Sequence, residues 1–171
     1  MKVRNMAFCG AFAALIALCA WISVPFGAIS FTMQTFALLL ALGLLGGKWG
    51  SISILIYLLI GAVGVPVFSG FQGGFGVLLG ATGGYLTGFL CSALIFWLIT
   101  TIFPGKKGLF YAMLVALPVC YLFGSAWYGF VYAQGASLTE ILTLCVLPYI
   151  IPDILKLSLA WFLTQKLKRF V

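Results

Sequence analysis

The sequence predicts an all-α integral membrane protein of six transmembrane helices, folded as one domain over residues 1–171. Three observations predict it. Of the 171 residues 64% are apolar and 6% charged, with a mean hydropathy of +1.25, whereas a soluble domain carries about 25% charged residues. Residues 5–47, 49–105 and 108–139 form uncharged stretches of 43, 57 and 32 residues. A helix needs about 20 apolar residues to cross a bilayer core, so the first two stretches hold two spans each and the third holds one. A last span covers 147–165. The third observation is where the cations fall. Lys2 and Arg4 precede span one, Lys48 separates spans two and three, Lys106 and Lys107 separate four and five, and Lys166, Lys168 and Arg169 follow six. All eight then lie on one side of the membrane, and Lys and Arg collect in the cytoplasm. A multi-pass plasma-membrane protein with both termini cytoplasmic is expected.

The same composition excludes much chemistry. The chain has no His and two carboxylates, Glu140 and Asp153. Zinc sites, two-metal sites and Ser-His-Asp triads all lack their parts, so no catalytic residue, metal or cofactor is expected. The net charge of +7 does not mark a nucleic-acid binder, because that needs a folded basic surface and these cations stand at span ends. Gly47-Lys48 lacks the glycine and the Ser/Thr that a phosphate-binding loop requires; any use of ATP falls to a partner. Cys9, Cys19, Cys91, Cys120 and Cys145 form no C-x-x-C pair and read as small buried hydrophobes.

Span one, 3–22, opens with basic residues like a signal peptide, but Leu18 before Cys19 is bulky where a cleavage site needs a small residue. An uncleaved helix is expected. Ala7, Gly10, Ala11, Ala14 and Ala17 share one of its faces, a stripe that lets another helix approach closely. The stripe serves either this chain's own bundle or the docking of another membrane subunit. Spans two and three, 31–45 and 51–63, are joined by a turn at Gly46-Gly47-Lys48-Trp49-Gly50.

Residues 61–88 hold ten glycines in 28 positions. Glycine disfavours helix by about 1 kcal/mol relative to alanine, and irregular backbone at membrane depth needs a protein or watery cavity to receive its polar groups. Residues 64–74 are therefore expected as an external re-entrant loop between helices three and four. Gly80 to Gly88 enter span four, with Gly83 and Gly84 packed against a neighbour or a ligand. Gln72, Thr82 and Tyr85 among these glycines favour a binding loop. Span five, 109–130, ends near Trp127, Tyr128 and Tyr132, which fit an interfacial belt as well as a pocket wall. A short helix is expected over 138–146.

One polar constellation stands inside a span. Asp153 and Lys156, three apart, share a helical face. A charge at the centre of a membrane helix costs about 2.5–3.5 kcal/mol, so the pair needs a reason. A structural ion pair, an ion relay, an acid–base couple and a ligand-binding pair all qualify; the last is favoured. Pro148 and Pro152 remove backbone donors, and a kinked helix commonly borders a cavity. The inferred site is outward-facing and fits a small, partly apolar solute with several hydrogen-bonding groups.

Pro66-Val-Phe-Ser-Gly70, Gly73-Gly74, Leu79-Gly-Ala-Thr-Gly-Gly-Tyr-Leu-Thr-Gly-Phe89, Thr32-Met-Gln-Thr-Phe36 and Pro152-Asp-Ile-Leu-Lys156 together resemble the BioY family, in order and over the whole chain. Those proteins are the biotin-binding S components of energy-coupling-factor (ECF) transporters. Ala81 stands where the family generally has proline. The resemblance implies an S-component fold, biotin as transported ligand, and as partners a transmembrane coupling protein and two cytoplasmic ATPases, which alone use ATP. It assigns docking to Ala7, Ala11 and Ala14. It also implies that Asp153 and Lys156 meet the ureido ring, that Gln34, Tyr85 or loop amides such as those of Gly83 and Gly84 meet the tail carboxylate, and that Gln72 is a further ureido candidate. An S component for another vitamin and an autonomous facilitator are the alternative functions.

Overall fold

The computed structural model describes residues 2–25 and 29–169, the side chain of Lys2 excepted. Helix α1 (Lys2–Trp21) turns Cys9, Ala13, Ile16, Ala17 and Ala20 inward. The opposite face, with Ala7, Gly10, Ala11 and Ala14, is exposed, and a Cβ placed on Gly10 would meet nothing. Of the small-residue stripe only Ala17 packs within the bundle. The chain then forms two short antiparallel strands, β1 (Ser23–Val24) and β2 (Phe31–Thr32), with Ser23 opposite Thr32. The tip of this expected outer loop, 26–28, lies outside the described residues.

Helix α2 (Gln34–Ala62) is broken at Gly46, where φ is 77° and ψ 173°, a backbone conformation that favours glycine. Beyond the break the chain doubles back. Gln34 Nε2 donates to Tyr57 Oη at 2.7 Å although 23 residues separate them; in a straight helix that separation would be about 35 Å. Gly50 packs against Leu42 so closely that a Cβ there would lie 2.9 Å from its Cα. The break falls in the glycine-rich stretch expected to turn. Among the described residues five helices are long and apolar enough to cross a membrane, against the six spans expected, and α2 is broken in two at Gly46.

The glycine-rich segment that follows holds a 3-10 turn (Ser69–Phe71) and a one-turn helix α3 (Phe75–Leu79). Phe68 is its anchor, 1% exposed, edge-on to Tyr57 and seated where a side chain at Gly61 would overlap its ring. Helices α4 (Gly83–Ile102) and α5 (Lys106–Trp127) then pack intimately. A Cβ on Gly84 would overlap Trp127, and one on Gly88 would press on the Cys120 carbonyl. A π-helical turn (Tyr128–Tyr132) ends α5, a Ser137–Glu140 capping box opens α6 (Leu138–Cys145), and α7 (Leu147–Leu167) closes the bundle. Leu42, Ile54, Phe96, Met113, Ala116 and Ala160 fill the core.

The bundle has two unlike ends. At one, the Gly46 break, the Pro104–Lys106 turn, Gln165 and Lys168 surround a hollow of about 380 Å3. At the other, the β1–β2 hairpin, the glycine-rich segment and the start of α7 enclose a larger cavity.

Candidate functional site

The larger cavity has a volume of about 640 Å3. Pockets for small ligands run to about 300–1,000 Å3. Gly70, Gln72 and Gly76, which are exposed, stand at its mouth. Gln34, Leu86, Phe89, Cys120, Asp153 and Lys156, which are buried, form its floor. Two walls come from the glycine segment and from the β1–β2 hairpin with the start of α2, and α4, α5 and α7 complete it. Proline placement helps shape the α7 wall. Helix α6 ends at Cys145 just before Pro148, the Tyr149 amide turns to the Val146 carbonyl, and the Cys145 carbonyl, left without its helical partner, accepts the Tyr85 hydroxyl at 2.5 Å. Tyr149 likewise donates to the Ile29 carbonyl, tying α7 to the hairpin.

At the floor lies one connected polar network. Lys156 Nζ contacts Asp153 Oδ1 at 2.7 Å, and the two side chains are 6% and 4% exposed. Asp153 Oδ1 also accepts from Thr35 Oγ1 at 2.9 Å, and Oδ2 accepts from the Tyr121 hydroxyl at 2.5 Å. Lys156 donates further to the Thr32 carbonyl at 2.6 Å and to Thr35 Oγ1 at 3.2 Å, with the Phe31 ring centre 3.8 Å away. Thr32 Oγ1 in turn donates to Gln34 Oε1 at 2.8 Å. An ammonium has three donors, and all three are engaged. Each carboxylate oxygen accepts about two bonds: among the described residues Oδ1 takes two and Oδ2 one, which leaves Oδ2 an acceptor position. Gln34 keeps one side-chain N–H beyond the one held by Tyr57. The floor therefore offers an acceptor and a donor, within a network whose two charges cancel.

The structure brings Asp153, Lys156, Gln34, Tyr85 and Gln72 to this one cavity. It does not bring Gly83 and Gly84. A Cβ on Gly83 would overlap the Leu78 carbonyl, and Gly84 lies against Trp127, so both serve close packing; Gly70, Gly73, Gly76 and Gly80 line the cavity instead. Gln34 joins the floor network rather than the mouth. Trp127 acts as a wall support, its indole N–H donating to the Gly80 carbonyl at 3.0 Å. Tyr121 was not singled out from the sequence. It sits 32 residues from Asp153 in the chain, and a tyrosine in an aromatic-rich apolar span gives no local sign of its partner.

Fold and site together define a helical membrane protein that encloses a cavity of small-ligand size at one end. Its fold matches the crystal structure at 2.1 Å of the S-component for biotin from an ECF-type ABC transporter, with a TM-score of 0.87 at 24% identity, covering 99% of this chain and 93% of that one. The chain belongs to the BioY family, whose model matches residues 1–171. Among its relatives, the biotin transporter BioY of Thermotoga maritima is 35% identical, covering 98% of this chain and 97% of that protein. The probable biotin transporter BioY of Pyrococcus horikoshii is 38% identical over 98% of each.

Proposed function

We propose that this chain is the biotin-binding membrane subunit, or S component, of an ECF-type vitamin uptake transporter. It captures biotin at the external face of the plasma membrane, with both termini cytoplasmic and six membrane crossings, α2 supplying two of them. The observation that carries the reading is the Asp153 carboxylate, buried in the cavity floor with one acceptor position open on Oδ2. A ureido ring presents N–H donors and a carbonyl acceptor. Asp153 Oδ2 takes one N–H, and the uncommitted N–H of Gln34 meets the carbonyl. Lys156 serves by holding Asp153 in place and balancing its charge, and the thioether ring and aliphatic tail lie along Phe68, Leu86 and Phe89.

Delivery inward then falls to partners, a transmembrane coupling protein and two cytoplasmic ATPases, because the chain carries no phosphate-binding loop of its own. The exposed stripe of Ala7, Ala11 and Ala14 is the docking face for the coupling protein. The test is equilibrium binding of radiolabelled biotin to the purified protein, with mass spectrometry of any small molecule released on denaturation. Asp153→Asn is expected to weaken binding by roughly 10- to 100-fold, the range of a lost charge-assisted hydrogen bond. Wild-type affinity in both Asp153→Asn and Lys156→Ala would overturn the site.

A further inference from the structure

The cavity contains one cation, and that cation is already neutralised. Of the nine Lys and Arg residues, only Lys156 lines it among the described residues; the other eight belong to the turns and termini at the opposite end of the bundle. The three donors of Lys156 are engaged by Asp153, Thr35 and the Thr32 carbonyl. A ligand carboxylate on this floor would lose its water beside the Asp153 carboxylate with no free cation to balance it, an arrangement that strongly disfavours burial of a charge. The floor therefore selects against the acid end of biotin and for the ureido end.

The mouth has no cation either. Its polar groups are neutral: Ser69 and Gln72, with no bond to the Gln72 side-chain amide among the described residues. In the first turn of α4 the amides of Gly83, Tyr85 and Leu86 donate to the carbonyls of Gly80 and Thr82, and Gly84 packs against Trp127 outside the cavity lining. A neutral donor bonds a carboxylate more strongly than an amide or ester carbonyl, but at a mouth open to water the charge is screened and the difference is small.

We propose, resting on the reading that this site binds biotin, that it recognises the ureido bicycle and leaves the tail carboxyl unread at an open mouth. The site then also takes biotin joined through that carboxyl to an amine or an alcohol: biotinamide, biotin methyl ester and biotin linked to the side-chain amine of lysine. The volume of about 640 Å3 leaves room for the added group beside exposed Gly70 and Gly76. Substrates would include the biotin-bearing fragments released when biotinylated proteins are degraded.

The test is competition against radiolabelled biotin on the purified full-length protein. Its competitors are unlabelled biotin, biotinamide, the methyl ester, biotinyl-lysine and biotin methylated on a ureido nitrogen. The three tail-modified compounds are expected to compete within about threefold of biotin, because the tail carboxylate meets no cation and stays in water at the mouth, where its charge is screened. The ureido-methylated compound is expected to compete at least about tenfold less well, as it loses the Asp153 bond. Tight biotin binding with a loss of about tenfold or more for biotinamide and the ester alike overturns the proposal while leaving the biotin reading intact, since such a loss marks a carboxylate held by charge. Absence of biotin binding overturns that reading, and the proposal with it.

Discussion

The hydroxyl of Tyr121 on α5 donates to Oδ2 of Asp153 on α7 at 2.5 Å, on the carboxylate oxygen that Lys156 leaves alone. The two oxygens therefore have separate tasks. Oδ1 belongs to the protein, bonded by Lys156 and Thr35; Oδ2 accepts from Tyr121. Tyr121→Phe removes that bond but no charge. Binding of labelled biotin is expected to weaken by about fivefold to tenfold, less than the full worth of a hydrogen bond to a charged group because the carboxylate itself remains, with the bundle still folded. Unchanged affinity would mean that the ligand does not use Oδ2.

The Lys156–Asp153 pair gives a second expectation, about stability. Removing one member of a buried pair costs about 3–5 kcal/mol, because the other is left charged in an apolar surrounding, while replacing both is often neutral. Lys156→Met is thus expected to lower the thermal unfolding midpoint in detergent sharply. The double variant Asp153→Asn with Lys156→Met is expected to recover most of that loss and still not bind biotin. A double variant that binds would assign the pair a structural role alone.

The glycines of α4 give a third. Gly84 lies where a Cβ would overlap Trp127 and come within 2.7 Å of the Phe123 carbonyl, a backbone atom that cannot rotate away. Gly84→Ala therefore pushes α4 off α5, at about 1–3 kcal/mol for overpacking. Gly76→Ala meets nothing within 4 Å and is expected to be neutral in stability. Unfolding midpoints of the two variants, measured side by side, check the contrast.

These residues also mark what was legible in the sequence. Uncharged runs between cations located the long helices, since the bilayer sets their length. The Asp153–Lys156 pair was legible because its members are three apart on one helix and charges are costly there. Its other partners were not. Thr35 is 118 residues from Asp153 and Tyr121 is 32, and nothing local in either neighbourhood encodes the meeting. For Gly83 and Gly84 the sequence favoured a ligand over a neighbour, although a missing side chain permits close approach by either. In the structure Gly83 lies against the Leu78 carbonyl of α3 and Gly84 against Trp127 of α5. The β1–β2 hairpin escaped notice because two-residue strands leave no alternation to read.

A fourth expectation concerns the outer face of α1. Ala7, Ala11 and Ala14 are exposed, at spacings that bring a second helix close when no large side chain intervenes. Ala11→Trp fills that face without touching the cavity. Biotin affinity is expected to stay at the wild-type value while co-purification of the coupling protein and ATP-dependent uptake are lost. Retained co-purification would place docking on another face.

The last expectation concerns how the cavity opens. Trp21, at the end of α1, donates its indole N–H to the Pro66 carbonyl at 2.9 Å and stacks on Phe71 with ring centres 4.9 Å apart. Phe71 is the non-glycine residue with positive φ among those described, at 57°. A bulky residue adopts that conformation at an energetic cost, which the stack and the neighbouring hydrogen bond offset. Trp21 thus ties the end of α1 to the glycine segment through Pro66 and Phe71, none of which lines the cavity. Trp21→Leu removes both contacts and should loosen the segment without altering the floor. Dissociation of biotin is expected to speed up by about tenfold and association to rise as well, so that affinity changes less than either rate, as when a lid rather than the site is altered. Stopped-flow measurement of both rates decides it: a slower association with an unchanged dissociation rate would show that Trp21 shapes the entrance rather than closing it.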